Sequence, residues 1–361
     1  MNIHDTAALA FTDTDTDTDT NTHNGTFTAV TGADVVVDHP LPYHQLMRAT
    51  PRSAKWWRPL AAVGVMLAVY VALLLLVLVF FAVLVIFTEV GAVEPQWLPT
   101  EDLLDPSNPM DLMFLLGFLA LMIPAALLGM RWGGKAKGTL HSINMRVRWD
   151  LMLRAAAIVF PIFGVVLTGL FLLDPPADFA WPDASSTTFV LYAVIIALTP
   201  LQCAAEEYVF RGLPMQLLGV WLRSPLWGIL IPVPFFILGH GYDWVGQIDL
   251  AVFAICMALL VWKTGGLELA IVMHTANNLI LFLLAPLSSS ATLEQGAVDP
   301  WSLLISLPLT IGVTALLWMW FSRKYGLNMW EQVRWPAVGD VAVGSVAADD
   351  VLAGDEVADL R

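Results

Sequence analysis

The chain has 361 residues, of which 58% are hydrophobic and only 13% charged, against about 25% charged in ordinary soluble domains. Its net charge of −14 is gathered at the two ends, where residues 1–47 and 336–361 hold thirteen acidic side chains and one basic one, Arg361. A soluble globular domain is excluded, and no basic stripe suited to nucleic acid is present. The chain reads as an all-α polytopic membrane bundle of about eight transmembrane helices with an intramembrane polar cavity.

Residues 1–47 open the chain with a Thr-Asp repeat from Thr12 to Thr20. Such a polar, low-complexity stretch cannot bury enough surface to offset its ordering entropy, so 1–47 and 336–361 are expected to be disordered acidic tails. The repeat lacks the central Gly and terminal Glu of a calcium loop. Nor does the start look like a cleavable leader, which would be a short basic and then apolar run. The intervening 48–335 is the expected transmembrane domain.

Apolar runs near the bilayer-crossing length of about 20 residues fall at 59–88, 110–130, 151–173, 188–210, 226–242, 250–264, 267–286 and 301–321. Basic residues alternate with them. Arg48, Arg52, Lys55 and Arg58 precede the first span, and Arg131, Lys135, Lys137, Arg146 and Arg148 separate the second from the third. Loops 89–109, 174–187 and 287–300 contain no Lys or Arg, only acids such as Glu94, Asp105, Asp178 and Glu294. The positive-inside rule then puts both termini in the cytoplasm, which requires an even number of spans, in what is expected to be the plasma membrane of a prokaryote. Trp56, Trp132, Trp149, Trp181, Trp244 and Trp301 near span ends suit an interfacial belt. Cys203 and Cys256 lie in apolar segments and read as buried free thiols.

The fourth span carries Glu206, Glu207 and Arg211, and later apolar segments carry His240 and His274. A charge near the bilayer centre costs about 2.5–3.5 kcal/mol on insertion scales, so these residues mark a functional site. Glu207 and Arg211 are four apart and share a helix face, which predicts an ion pair. Glu206 is turned away by about 100° and is left without a sequence-local partner, the situation of a general base. Both acids could instead simply neutralise Arg211. His274 and Asn278 share a face and could donate hydrogen bonds to a developing oxyanion. Asn277 is read as structural, and Asp243 and Glu268, nearer the span ends, as solvated or interfacial. On straight helices His240 stands about 21 Å from the basic end of its span and His274 only about 10 Å. Breaks at Pro200, Pro214, Pro232 and Pro234 are therefore expected around a water-filled cavity.

The ordered set Glu206-Glu207-x-x-x-Arg211, Phe236-x-x-x-His240 and His274-x-x-x-Asn278 resembles the motifs of the CPBP (Abi) family, which comprises type II CAAX prenyl proteases and bacteriocin-processing or immunity proteins. The resemblance covers about 188–286 and implies intramembrane hydrolysis of peptide bonds in membrane-associated substrates. It further implies that Glu206 and His240 hold and deprotonate water, that His274 and Asn278 stabilise the oxyanion, and that Glu207 and Arg211 brace the site. The family is often labelled metalloprotease, so a zinc ion on Glu206, His240 and His274 is the alternative to a cofactor-free, glutamate-dependent reaction. Against metal, the chain lacks His-Glu-x-x-His. A non-catalytic immunity or scaffold protein of the same fold is the second reading. A transporter is disfavoured, because the Glu and His motifs find no echo in 59–173.

Overall fold

The computed structural model describes residues 40–49, 52–87, 97–135 and 137–335. The Thr-Asp repeat, most of the N-terminal tail and the whole of 336–361 lie outside the described residues. The expected tail boundary at residue 47 needs correction. Leu41–Pro42 is a short strand, β1, paired antiparallel with β2, Arg334–Trp335, and the 3-10 helix Tyr43–Ala49 follows it. Tyr43, Leu46 and Met47 are fully buried, because this stretch, unlike the repeat before it, has apolar side chains to contribute to the core.

Eleven α-helices are present among the described residues: α1 Arg58–Phe87, α2 Pro109–Ala120, α3 Met122–Trp132, α4 Trp149–Leu173, α5 Ser186–Glu207, α6 Leu213–Trp221, α7 Pro225–Leu230, α8 Pro232–Leu238, α9 Trp244–Thr264, α10 Glu268–Leu284 and α11 Leu303–Lys324. Seven helical segments have the length and composition to cross a membrane, with α2 and α3 acting as one and α5 running on into α6 as a 36-residue unit. The bundle is all-α and polytopic. The fifth expected span is different. Residues 226–242 form no single helix but the short broken pair α7–α8, because Pro232 and Pro234 lack the N–H groups that would bond the carbonyls of Gly228 and Leu230.

Hydrogen bonds tie the loops into two faces. On one, Arg58 Nη1 donates to Trp132 O (2.9 Å), Arg48 Nη2 to Val220 O (2.9 Å), and Ile143 N to Gly265 O (2.8 Å). Lys263 at the end of α9 donates to Asn328 O (2.8 Å) and Met329 O (3.1 Å), beyond α11. On the other face, Leu293 N donates to Leu104 O (2.8 Å), Ala180 N to Leu287 O (3.0 Å), Ser288 Oγ to Asp178 Oδ1 (2.8 Å), and Asp243 N to Gly296 O (3.1 Å). Among the described residues, α7–α8 and the following loop also lead from the first face, at Arg223, to the second, at Asp243, the fifth pass in chain order.

Helix ends follow local chemistry. Asn108, Ser185, Ser224 and Asp243 cap α2, α5, α7 and α9 by accepting from backbone N–H groups of the first turn, and Gly265 closes α9 at φ +63°. Trp56, Trp132, Trp149, Trp181, Trp244 and Trp301 are all exposed at span ends or in the adjoining loops. Helix α10 packs against α4, α5 and α9 and forms the centre of the bundle.

Glu268 also needs correction. It is 1% exposed and makes a two-pronged pair with Arg148, Nε to Oε1 at 2.9 Å and Nη2 to Oε2 at 2.6 Å, while Arg148 Nη1 donates to Thr264 O (2.9 Å). Loop 137–148 folds back under the α9–α10 turn and brings the guanidinium to it, which sequence position alone does not reveal. A Cβ on Gly266 would meet Arg148 Nη2 and Glu268 Oε2 and displace them, so glycine there leaves room for the pair.

Candidate active site

Helix α5 reaches the site with an apolar stripe, Leu191 and Ile195, and then turns polar on the same side with Thr199, Gln202, Cys203 and Glu206, all buried. Directly after Glu207 the backbone widens into a π turn, Tyr208–Gly212, closed by a bond from Leu213 N to Tyr208 O. Pro214 accounts for its place: without an N–H it cannot bond the carbonyl of Phe210, and its ring pushes that carbonyl away. Single π turns of this kind recur at functional sites. This one carries Arg211.

Glu207 and Arg211 form the expected ion pair, Oε1 to Nη1 at 3.1 Å, with Glu207 fully buried and Arg211 1% exposed. Glu207 does more than brace the arginine. The same Oε1 accepts from His274 Nδ1 at 2.8 Å, across 67 residues of sequence. This bond fixes the tautomer and the plane of the ring, as a carboxylate does behind a catalytic or metal-binding imidazole. His274 Nε2 then faces Glu206 Oε2 at 3.6 Å. That exceeds direct hydrogen-bond length, and Glu206 forms no hydrogen bond to any described residue. Asn278 Nδ2 donates to His274 Nε2 (3.2 Å) and, at longer range, to Gln202 Oε1 (3.4 Å). Asn277 Nδ2 supports it from behind by donating to Asn278 Oδ1 (3.0 Å), which agrees with a structural role. Phe253 packs edge-on against the His274 ring with centroids 5.1 Å apart. Cys203 and Cys256 are buried free thiols, and Cys203 lies in the polar cluster, donating to Gln202 Oε1 at 3.3 Å.

Five of the six residues picked out by spacing thus converge: Glu206, Glu207, Arg211, His274 and Asn278. His240 does not join them. Its Nδ1 bonds the carbonyl of Phe236 (2.8 Å), and its ring packs on Phe236 at 4.8 Å and stacks on Tyr242 at 6.3 Å. It sits at the far end of α8, near the face opposite Arg148, in keeping with straight-helix arithmetic. Among the described residues no group of three or more His, Cys, Asp or Glu side chains is placed to hold a metal ion. Glu206, His240 and His274 are therefore not gathered as a ligand set in this arrangement.

Spacing also overlooked Gln202. It precedes Glu206 by one helical turn, a signal that could have flagged it, and it connects Asn278 to Cys203. A narrow crevice beside the cluster is lined among others by Arg211, Pro232, Val233 and Phe236.

Residues 186–280 match the family model described as type II CAAX prenyl endopeptidase Rce1-like, a segment that holds all three motifs, and the resemblance drawn from those motifs is borne out. The uncharacterized protein YyaK of Bacillus subtilis (strain 168) is 27% identical over 155 residues, which are 40% of this chain and 50% of that protein. The chain thus matches about half the length of this curated relative. No solved structure matches.

Proposed function

We propose that the chain is an intramembrane endopeptidase that hydrolyses peptide bonds of membrane-associated peptides or proteins with water activated by Glu206. One observation carries the reading. Of the two buried carboxylates, Glu207 is held through Oε1 by Arg211 and His274 Nδ1, whereas Glu206 faces His274 Nε2 across 3.6 Å and makes no hydrogen bond to a described residue. A single water can lie within about 2.8 Å of both atoms.

In this mechanism Glu206 takes a proton from that water as its oxygen bonds to the carbonyl carbon. The carbonyl electron pair moves onto oxygen; in the reacting form His274 carries a proton on both nitrogens, so that Asn278 Nδ2–H turns from Nε2 to the oxyanion and His274 Nε2–H donates beside it. Glu207 stabilises the imidazolium through Nδ1, and Arg211 fixes Glu207. Collapse of the intermediate breaks the C–N bond, and Glu206 returns its proton to the departing amine. No step is routed through a metal. In this reading the lysine- and arginine-bearing face lies in the cytoplasm of a prokaryotic cell with both termini on that side, which the excess of basic residues there supports.

The test is Glu206→Gln, nearly isosteric and unable to accept the proton. Cleavage of a peptide library by the purified protein, run with and without chelator, should fall by about 10²–10⁴ in the variant and be indifferent to chelator in the parent. Biological activity that survives the substitution would instead identify a non-catalytic immunity or scaffold protein.

A further inference from the structure

We propose that Gln202 is a positioning residue of the hydrolytic reaction: its Oε1 keeps the amide N–H of Asn278 aimed at the oxyanion when His274 takes a second proton and lets that amide go. This builds on the hydrolytic reading of the site.

Helices α5 and α10 meet in two polar rungs. Glu206 faces His274 at 3.6 Å, and one turn away on both helices Gln202 faces Asn278 at 3.4 Å. A carboxamide inside a membrane helix is costly unless its polar atoms are matched, and Gln202 is 4% exposed. Its Oε1 accepts from two donors, Asn278 Nδ2 and the Cys203 thiol, the latter at 3.3 Å. The thiol thereby keeps the oxygen end of Gln202, rather than its nitrogen, turned toward Asn278.

The Asn278 carboxamide has three polar neighbours. Its Nδ2 donates to His274 Nε2 (3.2 Å) and to Gln202 Oε1, and its Oδ1 accepts from Asn277 Nδ2 (3.0 Å). The first of these bonds requires Nε2 to be unprotonated. Once Nε2 carries a proton it is itself a donor, and an unrestrained Asn278 would rotate by half a turn to offer it Oδ1. The oxyanion would then lose its amide donor. Both remaining neighbours oppose that rotation. It would set Asn278 Oδ1 against Gln202 Oε1 and Asn278 Nδ2 against Asn277 Nδ2, two pairs of like atoms with no bond between them. Asn277 is next to Asn278 in the chain, whereas Gln202 ties the donor to α5, the helix that carries the base. The 3.4 Å separation is long for such a bond, because Nδ2 is shared with Nε2; loss of that competitor allows it to shorten.

Two measurements on the purified protein test this. Gln202→Met removes the acceptor and suits an apolar helix. In the cleavage assay it should lower kcat about tenfold and change KM by less than about twofold, against a loss of about 10²–10³ in kcat for Asn278→Ala, which deletes the oxyanion donor itself. Added to Asn278→Ala, Gln202→Met should cost less than about a further twofold, because the group it positions is gone. The second measurement needs no substrate. In protein carrying isotope-labelled asparagine, the Asn278 side-chain NMR signal is identified by its loss in Asn278→Ala. Its protons should exchange with water at least about fivefold faster in Gln202→Met, and at the parent rate in Gln202→Glu, which keeps an acceptor oxygen. An equal kcat loss with and without Asn278, or unchanged exchange in Gln202→Met, overturns the proposal. A parent that cleaves no peptide while the exchange rates behave as described would sink the hydrolytic reading and leave the hold of Gln202 on Asn278 standing.

Discussion

The ion pair between Glu207 and Arg211 can be weighed directly. Replacing Arg211 by Met leaves a fully buried carboxylate with only His274 Nδ1 as partner. Breaking a buried pair from one side costs about 3–5 kcal/mol, and loss of the contact with Phe236 adds to it. At roughly 2–4 °C per kcal/mol, the melting temperature in detergent should fall by about 6–20 °C. Glu207→Gln should be similarly costly, because it strands the guanidinium. The double variant Glu207→Gln/Arg211→Met removes both charges, while the amide oxygen introduced by the first substitution can still accept from His274, so it should recover most of the lost stability. The coupling from the four-protein cycle should then exceed about 2 kcal/mol. Peptidase activity should not return, since an uncharged partner cannot stabilise the imidazolium. Additive single effects, or single losses below about 1 kcal/mol, would mean that the pair is solvated and that the closed polar cluster described above is wrong.

The remaining expectations concern the segment that packs beneath the site. A Cβ on Gly219 would lie 1.6 Å from His44 O, so Gly219→Ala should undock residues 41–49 and expose Arg48 to trypsin, read as faster cleavage by mass spectrometry; unchanged proteolysis would refute the packing. Burial lowers the His44 imidazole from 6.5 to about 4, opposed in part by its hydrogen bond with Arg223 O. The unfolded chain therefore takes up the proton first. Stability supplied by the neutral ring is complete above pH 6.5 and is lost as pH falls from 6.5 toward 4, by roughly 3 kcal/mol in all. Melting curves across that window should show a loss in the parent that His44→Gln lacks.

Much of the architecture was legible because lipid imposes a simple grammar. Seven crossing helices and the chemistry of the two faces follow from apolar runs punctuated by Lys and Arg. The convergence of Glu207 with Arg211, and of His274 with Asn278, followed from four-residue spacing. What was hidden is non-local. The bond from His274 to Glu207 and the pair of Arg148 with Glu268 join distant segments, and no periodicity reports them. The burial of 41–49 was masked by the acidic stretch before it, since averaged charge hides a short apolar strap. The fifth pass was legible as a continuous apolar run, and the break expected at Pro232 is where α7 gives way to α8.

Why the ring of His274 meets the right carboxylate is settled one turn and a half away. Helix α10 begins at Glu268, whose two oxygens are both taken by Arg148, and Arg148 N also donates to Oε1 at 2.9 Å. A two-pronged bond of this kind fixes direction as well as distance, so it sets both the depth of α10 and its rotation about its own axis. His274 lies six residues further on, about 9 Å along the helix and about 240° round it. An error of one residue in register would turn the imidazole by about 100° and send Nδ1 away from Glu207. On the other side, the π turn of Tyr208–Gly212 sets the rotation of Arg211 relative to Glu207. Helix α10 is thus indexed from outside the site by a buried ion pair, while the proline-enforced widening after α5 sets Arg211 within it. Displacement of the Arg148–Glu268 pair would turn His274 away from both glutamates.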